Sequence, residues 1–583
     1  MKHTKRKTRL QLPRQRRSRR GIIVVLTSFL LTVLFAFVAL SVDTGRVVMT
    51  ETKMQNAVDA ASLAASQEIT SAVYKAGQGQ GSANIDANSI AVSSARTMAQ
   101  QVAAANGVFV DPAKDVRFGK RVFDPATGQW PVQWGATPYN VVGVTARRNG
   151  SDLTAPDGQY PLSFGWAVGK TSVPLQTSST AFVEARDLVL VLDFSASMND
   201  DSSYESTLSS TEVNNALDGM WNALVAANPT WPGTSTSKFP STGFGSINSY
   251  AGVSVNSTNT STILSTLGLN TNVSSHRKFP YPQAGRNSDG SLKPKPSDTT
   301  SDTLWSNYIN YVKGLSSSKR KYGYRTLMDY FQEQTYDRSL SEDLWRTPHY
   351  PVQALKDGTS LFCNFLHDLQ FGDELGLVVY GQWAVPMKTF NDGYINVDIS
   401  NDPITPTYSN IDLIQQHLQA GEYEGWTAMG DGILKGRELL LGSTTDPNDH
   451  GFSRYGARPT IIVMTDGQTN QKPSGWVIPS DFKWSDWTDY DGDGVADYTT
   501  TDANKKYAFW VATEAIKRGV TIHTITVGAD ADRDLMKAIA FAGKGVYVDV
   551  PGGSTIATMQ QQMLDAFSQI AAKVPPAQLV YGN

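Results

Sequence analysis

The chain has 583 residues, more than one compact core accommodates, so two or more domains are expected. Its 40% hydrophobic and 10% aromatic content is enough for most of it to fold. The net charge of −3 conceals an asymmetry: Lys2, Lys5, Arg6, Lys7, Arg9, Arg14, Arg16, Arg17, Arg19 and Arg20 put ten positive charges and no acid in residues 1–20, leaving −3 − 10 = −13 for the rest. An acidic body with a short basic tail argues against nucleic-acid binding and for a tail at a membrane surface. Cys363 is the only cysteine, so no intrachain disulfide forms. Its setting, Leu361-Phe362-Cys363-Asn364-Phe365, reads as helical core.

Residues 21–42 run from Gly21 to Val42 without a charge, and about 20 such residues cross a bilayer as a helix. The basic tail precedes the run and Asp43 follows it, so the positive-inside rule keeps 1–20 cytoplasmic and sends the rest outward. A cleaved signal peptide is the competing reading. The run is longer than a signal core and no clean Ala-x-Ala site follows, which favours a retained single-pass anchor in the inner (cytoplasmic) membrane.

Residues 43–110 are read as a juxtamembrane helical region. Val42-Asp43-Thr44-Gly45-Arg46 leads into Met54-Gln55-Asn56-Ala57-Val58-Asp59-Ala60-Ala61-Ser62-Leu63-Ala64-Ala65-Ser66, rich in a strong helix former. Ala57, Ala60, Ala61 and Ala64 recur at helical spacing and predict a small-residue packing face. Over roughly residues 20–70 this block resembles the N-terminus of TadE/TadG-like proteins of the tight-adherence (Tad/Flp) pilus system. There a membrane helix is followed by an Asp-x-Gly turn and a Gln-Asn-Ala-x-Asp-Ala-Ala-x-Leu-Ala run. Pilin-like members carry a Glu soon after a processing site, whereas Gly21 is followed by Ile22-Ile23-Val24-Val25-Leu26. The resemblance therefore implies the retained, TadG-like type. A second helix is predicted over Ser89–Ala105.

Residues 111–185 contain short alternating runs punctuated by Pro, Gly and Asn, the pattern of a small β-rich module. From 186 to 575 strands and helices alternate. Leu188–Leu192, Leu375–Tyr380, Thr460–Met464, Val520–Val527 and Gly545–Val550 read as strands. A helix carrying Leu355 to Leu369, and segments Ile411–Ala420, Met429–Leu441, Asn504–Arg518, Asp532–Ala540 and Thr555–Ala572, read as helices. This alternation predicts an α/β unit with a doubly wound (Rossmann-like), mostly parallel sheet, whose ligands bind beyond the carboxyl ends of the strands. Residues 200–350 interrupt it with a long Ser/Thr/Asn/Gly-rich insertion, expected to frame or cover the ligand face.

Five residues sit where strands end or helices begin: Asp193, Ser195 and Ser197 in Asp193-Phe194-Ser195-Ala196-Ser197, Thr427 in Gly425-Trp426-Thr427-Ala428-Met429, and Asp466 in Thr465-Asp466-Gly467. Two carboxylates and three hydroxyls make a hard-oxygen set suited to Mg²⁺ or a similar cation. The five resemble, position by position, the metal-ion-dependent adhesion site of von Willebrand factor type A (VWA) domains. The resemblance implies a VWA fold. It also implies Mg²⁺ (or Mn²⁺/Ca²⁺) bound by Ser195, Ser197 and Thr427 with Asp193 and Asp466 neutralising it, and an open position for a partner's acidic side chain. A second cluster, Asp489, Asp491, Asp493, Val495 and Asp497 in loop 486–502, has Asp at positions 1, 3, 5 and 9 and Gly494 at 6, the spacing of an EF-hand-like Ca²⁺ loop. Position 12 is Thr500 and flanking helices are not evident, so Ca²⁺ binding is expected without EF-hand architecture.

Enzyme signatures are weak. There is no Gly-x-x-x-x-Gly-Lys-Ser/Thr loop and no His-Glu-x-x-His pair, and His367 and His523 read as structural. The expected function is that of a membrane-anchored, cation-dependent protein-binding protein of pilus adhesion or assembly, its body periplasmic or extracellular. The alternatives are a surface adhesin unrelated to pili and, less favoured, a metal-dependent hydrolase.

Overall fold

The computed structural model describes residues 20–78, 87–227, 249–250, 253–255, 257–269, 282–283, 287–288, 301–316, 318–333, 340–341, 344–446, 448–551, 555–573 and 577–580. The basic residues before Arg20, and the parts of the insertion missing from these ranges, lie outside the described residues.

The described residues begin with one helix, α1 (Arg20–Gln78), followed by α2 (Ala87–Ala105). The turn expected at Asp43-Thr44-Gly45 is absent, and the helix runs through it for 59 residues, about 90 Å at 1.5 Å per residue. Asp43 does not cap a new segment. Its carboxylate instead accepts hydrogen bonds from the backbone of Ser163 and Phe164, and Gly45 lies exposed within the continuous helix. The large apolar side chains from Ile23 to Val42 are 37–69% exposed on the first half of α1. This stretch is long and apolar enough to cross a membrane. On the second half the buried stripe is Met54, Ala57, Val58, Ala61, Ser62, Ala65, Ser66, Ile69 and Thr70. The predicted packing face is thus rotated: Ala60 and Ala64 are half-buried, while α1 packs on both α2 and the sheet beneath it, where the Ser62 hydroxyl bonds that of Ser179.

That sheet contains β1 (Val116–Arg121), β2 (Val132–Trp134), β3 (Val141–Arg148) and β6 (Leu175–Phe182), while β4 (Tyr160–Pro161) and β5 (Ser172–Val173) form a separate hairpin. Next comes β7 (Arg186–Asp193), buried at every position, as a continuous apolar run requires. The insertion supplies α3 (Ser210–Ala227), α4 (Thr260–Leu267), α5 (Ser301–Gly314) and α6 (Tyr324–Glu333), which have their own core around Trp221, Trp305 and Tyr308. The α/β unit continues through α7 (Val352–Leu369), β8 (Glu374–Tyr380), β9 (Ala384–Pro386), α8 (Tyr408–Gln416), α9 (Met429–Leu441) and β10 (Arg458–Thr465). It ends with α10 (Ala503–Lys517), β11 (Thr521–Gly528), α11 (Arg533–Ala542), β12 (Lys544–Pro551) and α12 (Ile556–Ala572). A final short strand, β13 (Gln578–Leu579), was not expected. It pairs with β6 and gives the first sheet the order β13-β6-β3-β1-β2.

The second sheet has the order β9-β8-β7-β10-β11-β12, all parallel except edge strand β9. Alternate residues of β7 face opposite cores: Leu188, Leu190 and Leu192 meet α7, α8 and α12, while Val189 and Val191 meet α9, α10 and α11. Gly432 and Gly436 seat α9 on this sheet. A Cβ at Gly432 would lie 2.8 Å from Val191 and 2.9 Å from Tyr380, so only glycine allows that approach. Arg186 at the start of β7 forms a buried ion pair with Asp373 (2.6 Å) and donates to the carbonyls of Ala571 and Lys573, tying the end of α12 to the sheet.

Candidate metal centre

Because β7, β8, β10 and β11 are parallel, their carboxyl ends share one edge. β7 ends at Asp193 and β10 at Thr465, and the loop entering α9 carries Thr427 to the same place. Asp193 Oδ1 accepts from the Ser195 backbone N–H (2.9 Å) and Oδ2 from the Thr465 hydroxyl (2.8 Å). The Ser195 and Ser197 hydroxyls are 3.1 Å apart, and Ser197 Oγ donates to Asp466 Oδ1 at 2.8 Å. A Cβ on Gly467 would stand 3.6 Å from Ser197 Oγ and 3.8 Å from Thr427 Oγ1, so both hydroxyls border the space above that glycine. Asn470 holds Thr427 from both sides: its side-chain oxygen accepts from the Thr427 N–H (2.8 Å) and its own N–H donates to the Thr427 carbonyl (3.1 Å). The chain brings together all five residues singled out in the sequence.

The centre is buried, and its electrostatics follow from that. Burial raises the Asp193 carboxyl to about 6 despite the hydrogen bonds from Ser195 and Thr465. Asp466 is pushed well above the usual carboxylate range, first by burial and then by the charge of Asp193, with Asp200 and Asp201 adding to it. Two carboxylates in this position require a proton or a cation. The adjoining cavity, about 250 Å³, has no Lys, Arg or His among the described residues that line it. Three hydroxyls and two acids therefore fit a hard divalent ion.

The cavity also has residues that the sequence reading missed. Asp200, Asp201, Glu205 and Asp530 line it together with Ser197, Asp466 and Gly467. The Asp200 carboxyl is raised to about 7, by burial first and then by Asp201, Glu205, Glu333 and Asp530. The signal in the sequence was the acidic pair three residues after Ser197. Thr465 and Asn470 are the other omissions. Asp200, Asp201, Glu205, Ser206 and Thr207 all fall within residues 200–350, so the insertion contributes to the lining of the cavity.

At the second cluster, carboxylate oxygens of Asp489, Asp491 and Asp493 lie within 4.8 Å of one another. Asp489 accepts from the N–H groups of Gly492 (2.7 Å), Asp493 (3.1 Å) and Gly494 (2.8 Å), and Gly494 has φ +85°. Asp497 points elsewhere, its carboxylate accepting from the Tyr490 N–H at 2.5 Å, and Val495 is exposed. A single helical turn, Ser485–Thr488, stands just before Asp489, and Tyr490 packs on Phe541 of α11 with ring centroids 4.5 Å apart. Cys363 and His523 are buried as expected, whereas His367 is exposed beside Asp368.

Comparison with known proteins gives a match at the N-terminus. Residues 21–68 match the family model described as "Putative Flp pilus-assembly TadE/G-like". No curated protein matches. Among solved structures, proximal thread matrix protein 1 of the mussel byssus is similar at 17% identity over 37% of this chain and 42% of that one, with a TM-score of 0.24. The pilus adhesin SpaC from Lactobacillus rhamnosus GG is similar at 14% identity over 38% and 28%, TM-score 0.24. The von Willebrand factor type A protein from Catenulispora acidiphila is similar at 17% identity over 38% of each chain, TM-score 0.23. The chain thus spans less than half the length of these three structures. What the comparisons establish is that it carries a TadE/G-like segment at residues 21–68.

Proposed function

We propose that this chain is a membrane-anchored protein-binding module, VWA-like and doubly wound in its α/β unit and TadG-like in its N-terminal part. It uses a divalent cation at the Asp193–Asp466 centre to engage an acidic side chain of a pilus or envelope protein. The observation that carries this reading is the meeting of three hydroxyls and two buried carboxylates from three separate segments at one sheet edge. Ser195, Ser197 and Thr427 would hold Mg²⁺ (or Mn²⁺/Ca²⁺), with Asp193 and Asp466 balancing its charge. When bound, the ion supplies an electrophilic position for a carboxylate oxygen. The protein's own part is orientation: Thr465 and the Ser195 N–H fix Asp193, Ser197 fixes Asp466, and Asn470 fixes Thr427.

Under the same reading α1 crosses the inner membrane with its N-terminus cytoplasmic, and the body is periplasmic or extracellular. Ca²⁺ would occupy the Asp489–Asp493 loop. The role is binding and not catalysis, a view that turnover abolished by Asp466→Ala would overturn. The direct test is a pull-down with the full chain in detergent, with and without Mg²⁺, comparing wild type with Asp193→Ala. Partners recovered only by wild type in Mg²⁺ support the reading, and identical partners in every sample refute it.

A further inference from the structure

The body of the protein begins where the lipid-length part of α1 ends. From Ile23 to Val42 the helix exposes its apolar side chains, and twenty residues at 1.5 Å each match the roughly 30 Å hydrocarbon core of a bilayer. Asp43, the next residue, is buried at 6% exposure. Its two carboxylate oxygens accept from the backbone N–H groups of Ser163 (2.9 Å) and Phe164 (2.8 Å), and Arg46, one turn on, donates to the Ser163 hydroxyl. These bonds pin the tip of the β4–β5 hairpin to α1 at the level where the apolar stretch stops.

The tip is a closed turn and not a loose loop. Leu162 N–H donates to the Thr171 carbonyl and Lys170 N–H to the Gly165 carbonyl, both at 2.9 Å. It presents Phe164, 42% exposed, and Trp166, 72% exposed, with Arg46 and Lys170 exposed beside them. An outward-facing Trp and Phe with adjacent cations suit the interfacial belt of a membrane, where a ring lies among headgroups and a cation meets phosphate.

We propose that this hairpin tip is a second membrane contact: Phe164 and Trp166 sit in the interface of the leaflet from which α1 emerges, with Arg46 and Lys170 at the lipid phosphates. The inference rests on the reading of α1 as a spanning helix. Continuity with that helix selects lipid over a protein partner, because the hydrogen bonds of Asp43 hold the tip at the end of the apolar stretch. Two attachments instead of one would fix the rotation of the body about α1.

The test uses the full chain in liposomes, on a Cys363→Ala background, with a fluorophore on one introduced cysteine and nitroxide lipids as shallow or deep quenchers. A label at Leu34→Cys reports the span, one at Trp166→Cys reports the tip, and one at Val477→Cys, 79% exposed on the loop after β10, serves as the solvent control. The expected pattern is deep quenching at 34, shallow quenching at 166 and none at 477. Because Trp166→Cys removes part of the contact, Lys170→Cys with both rings retained is the second probe. Its shallow quenching should fall at least twofold in Phe164→Ser/Trp166→Ser. Quenching at 34 with none at 166 or 170 overturns the hairpin contact and leaves the spanning helix standing. No quenching at 34 overturns the spanning reading and this proposal with it. A label at 166 that is shielded from water but unquenched by lipid places the tip against protein, this chain or a second copy of it, and also overturns the proposal.

Discussion

His523 should make the fold sensitive to mild acid, and one substitution should remove that sensitivity. The side chain lies in β11 at 3% exposure, and its Nδ1 accepts a hydrogen bond from the Val546 N–H at 2.9 Å, where the β11–β12 ladder is irregular. The ring must therefore be neutral, with its proton on Nε2. Burial, then the charges of Arg186 and Lys573, depress its pKa to about 3. The unfolded chain titrates near 6.5, so the stability tied to neutral His523 is complete above that pH. It is lost as pH falls from about 6.5 toward 3, because there the unfolded state binds a proton that the folded state refuses. At pH 5 the loss is about 1.5 pH units of linkage, or about 2 kcal/mol relative to pH 7.5. In His523→Asn, Oδ1 can accept from Val546 but carries no titratable proton. The assay is thermal unfolding of the full chain in detergent at pH 7.5 and pH 5, wild type against variant. The drop between the two pH values should be smaller in the variant by about 2 kcal/mol, a shift of a few degrees in Tm. Carboxylates with raised pKa values, Asp200 and Glu374 among them, act in the opposite sense but cancel in the comparison. Equal drops in both proteins would refute the reasoning.

Gly432→Ala should lower stability by about 1–3 kcal/mol, since the new Cβ collides with Val191 and Tyr380; an unchanged melting temperature would contradict the close seating of α9. Arg186→Met should cost about 3–5 kcal/mol by leaving Asp373 buried and unpaired, and Arg186→Met/Asp373→Leu should recover much of it, as read by denaturant midpoint. With Mg²⁺ in excess to fill the first centre, added Ca²⁺ should raise the melting temperature of wild type more than that of Asp489→Ala/Asp491→Ala; an equal gain in both would remove the second cluster from consideration.

Much of the α/β unit was legible because its strands are buried on both faces. β7 reads as an uninterrupted apolar run, and α9 was delimited correctly by Met429 and Leu441. The helix expected to reach Ala420 stops at Gln416, and the chain then turns so that the Gly421 N–H can donate to the Phe194 carbonyl, a long-range bond that no local pattern signals. The same limit applies to β13, two residues paired with a strand almost 400 positions earlier. In α1, helical spacing located an alanine-rich face, but α2 and the sheet together decided which residues it buries. The five oxygen-bearing residues of the centre were legible because each stands in a recognisable strand-end or helix-start context. The acidic lining beside them was not, because Asp200, Glu205 and Asp530 become neighbours only when the insertion and the loop after β11 meet at the cavity beside Asp466.

The central claim is that separate loops hold a cation for a partner's acid, and occupancy is its most direct measure. Crystals of the full chain grown with Mn²⁺ should give an anomalous peak bonded to the hydroxyls of Ser195 and Ser197, absent in Asp193→Ala. A map of equal quality without a peak there in the wild type would contradict the account.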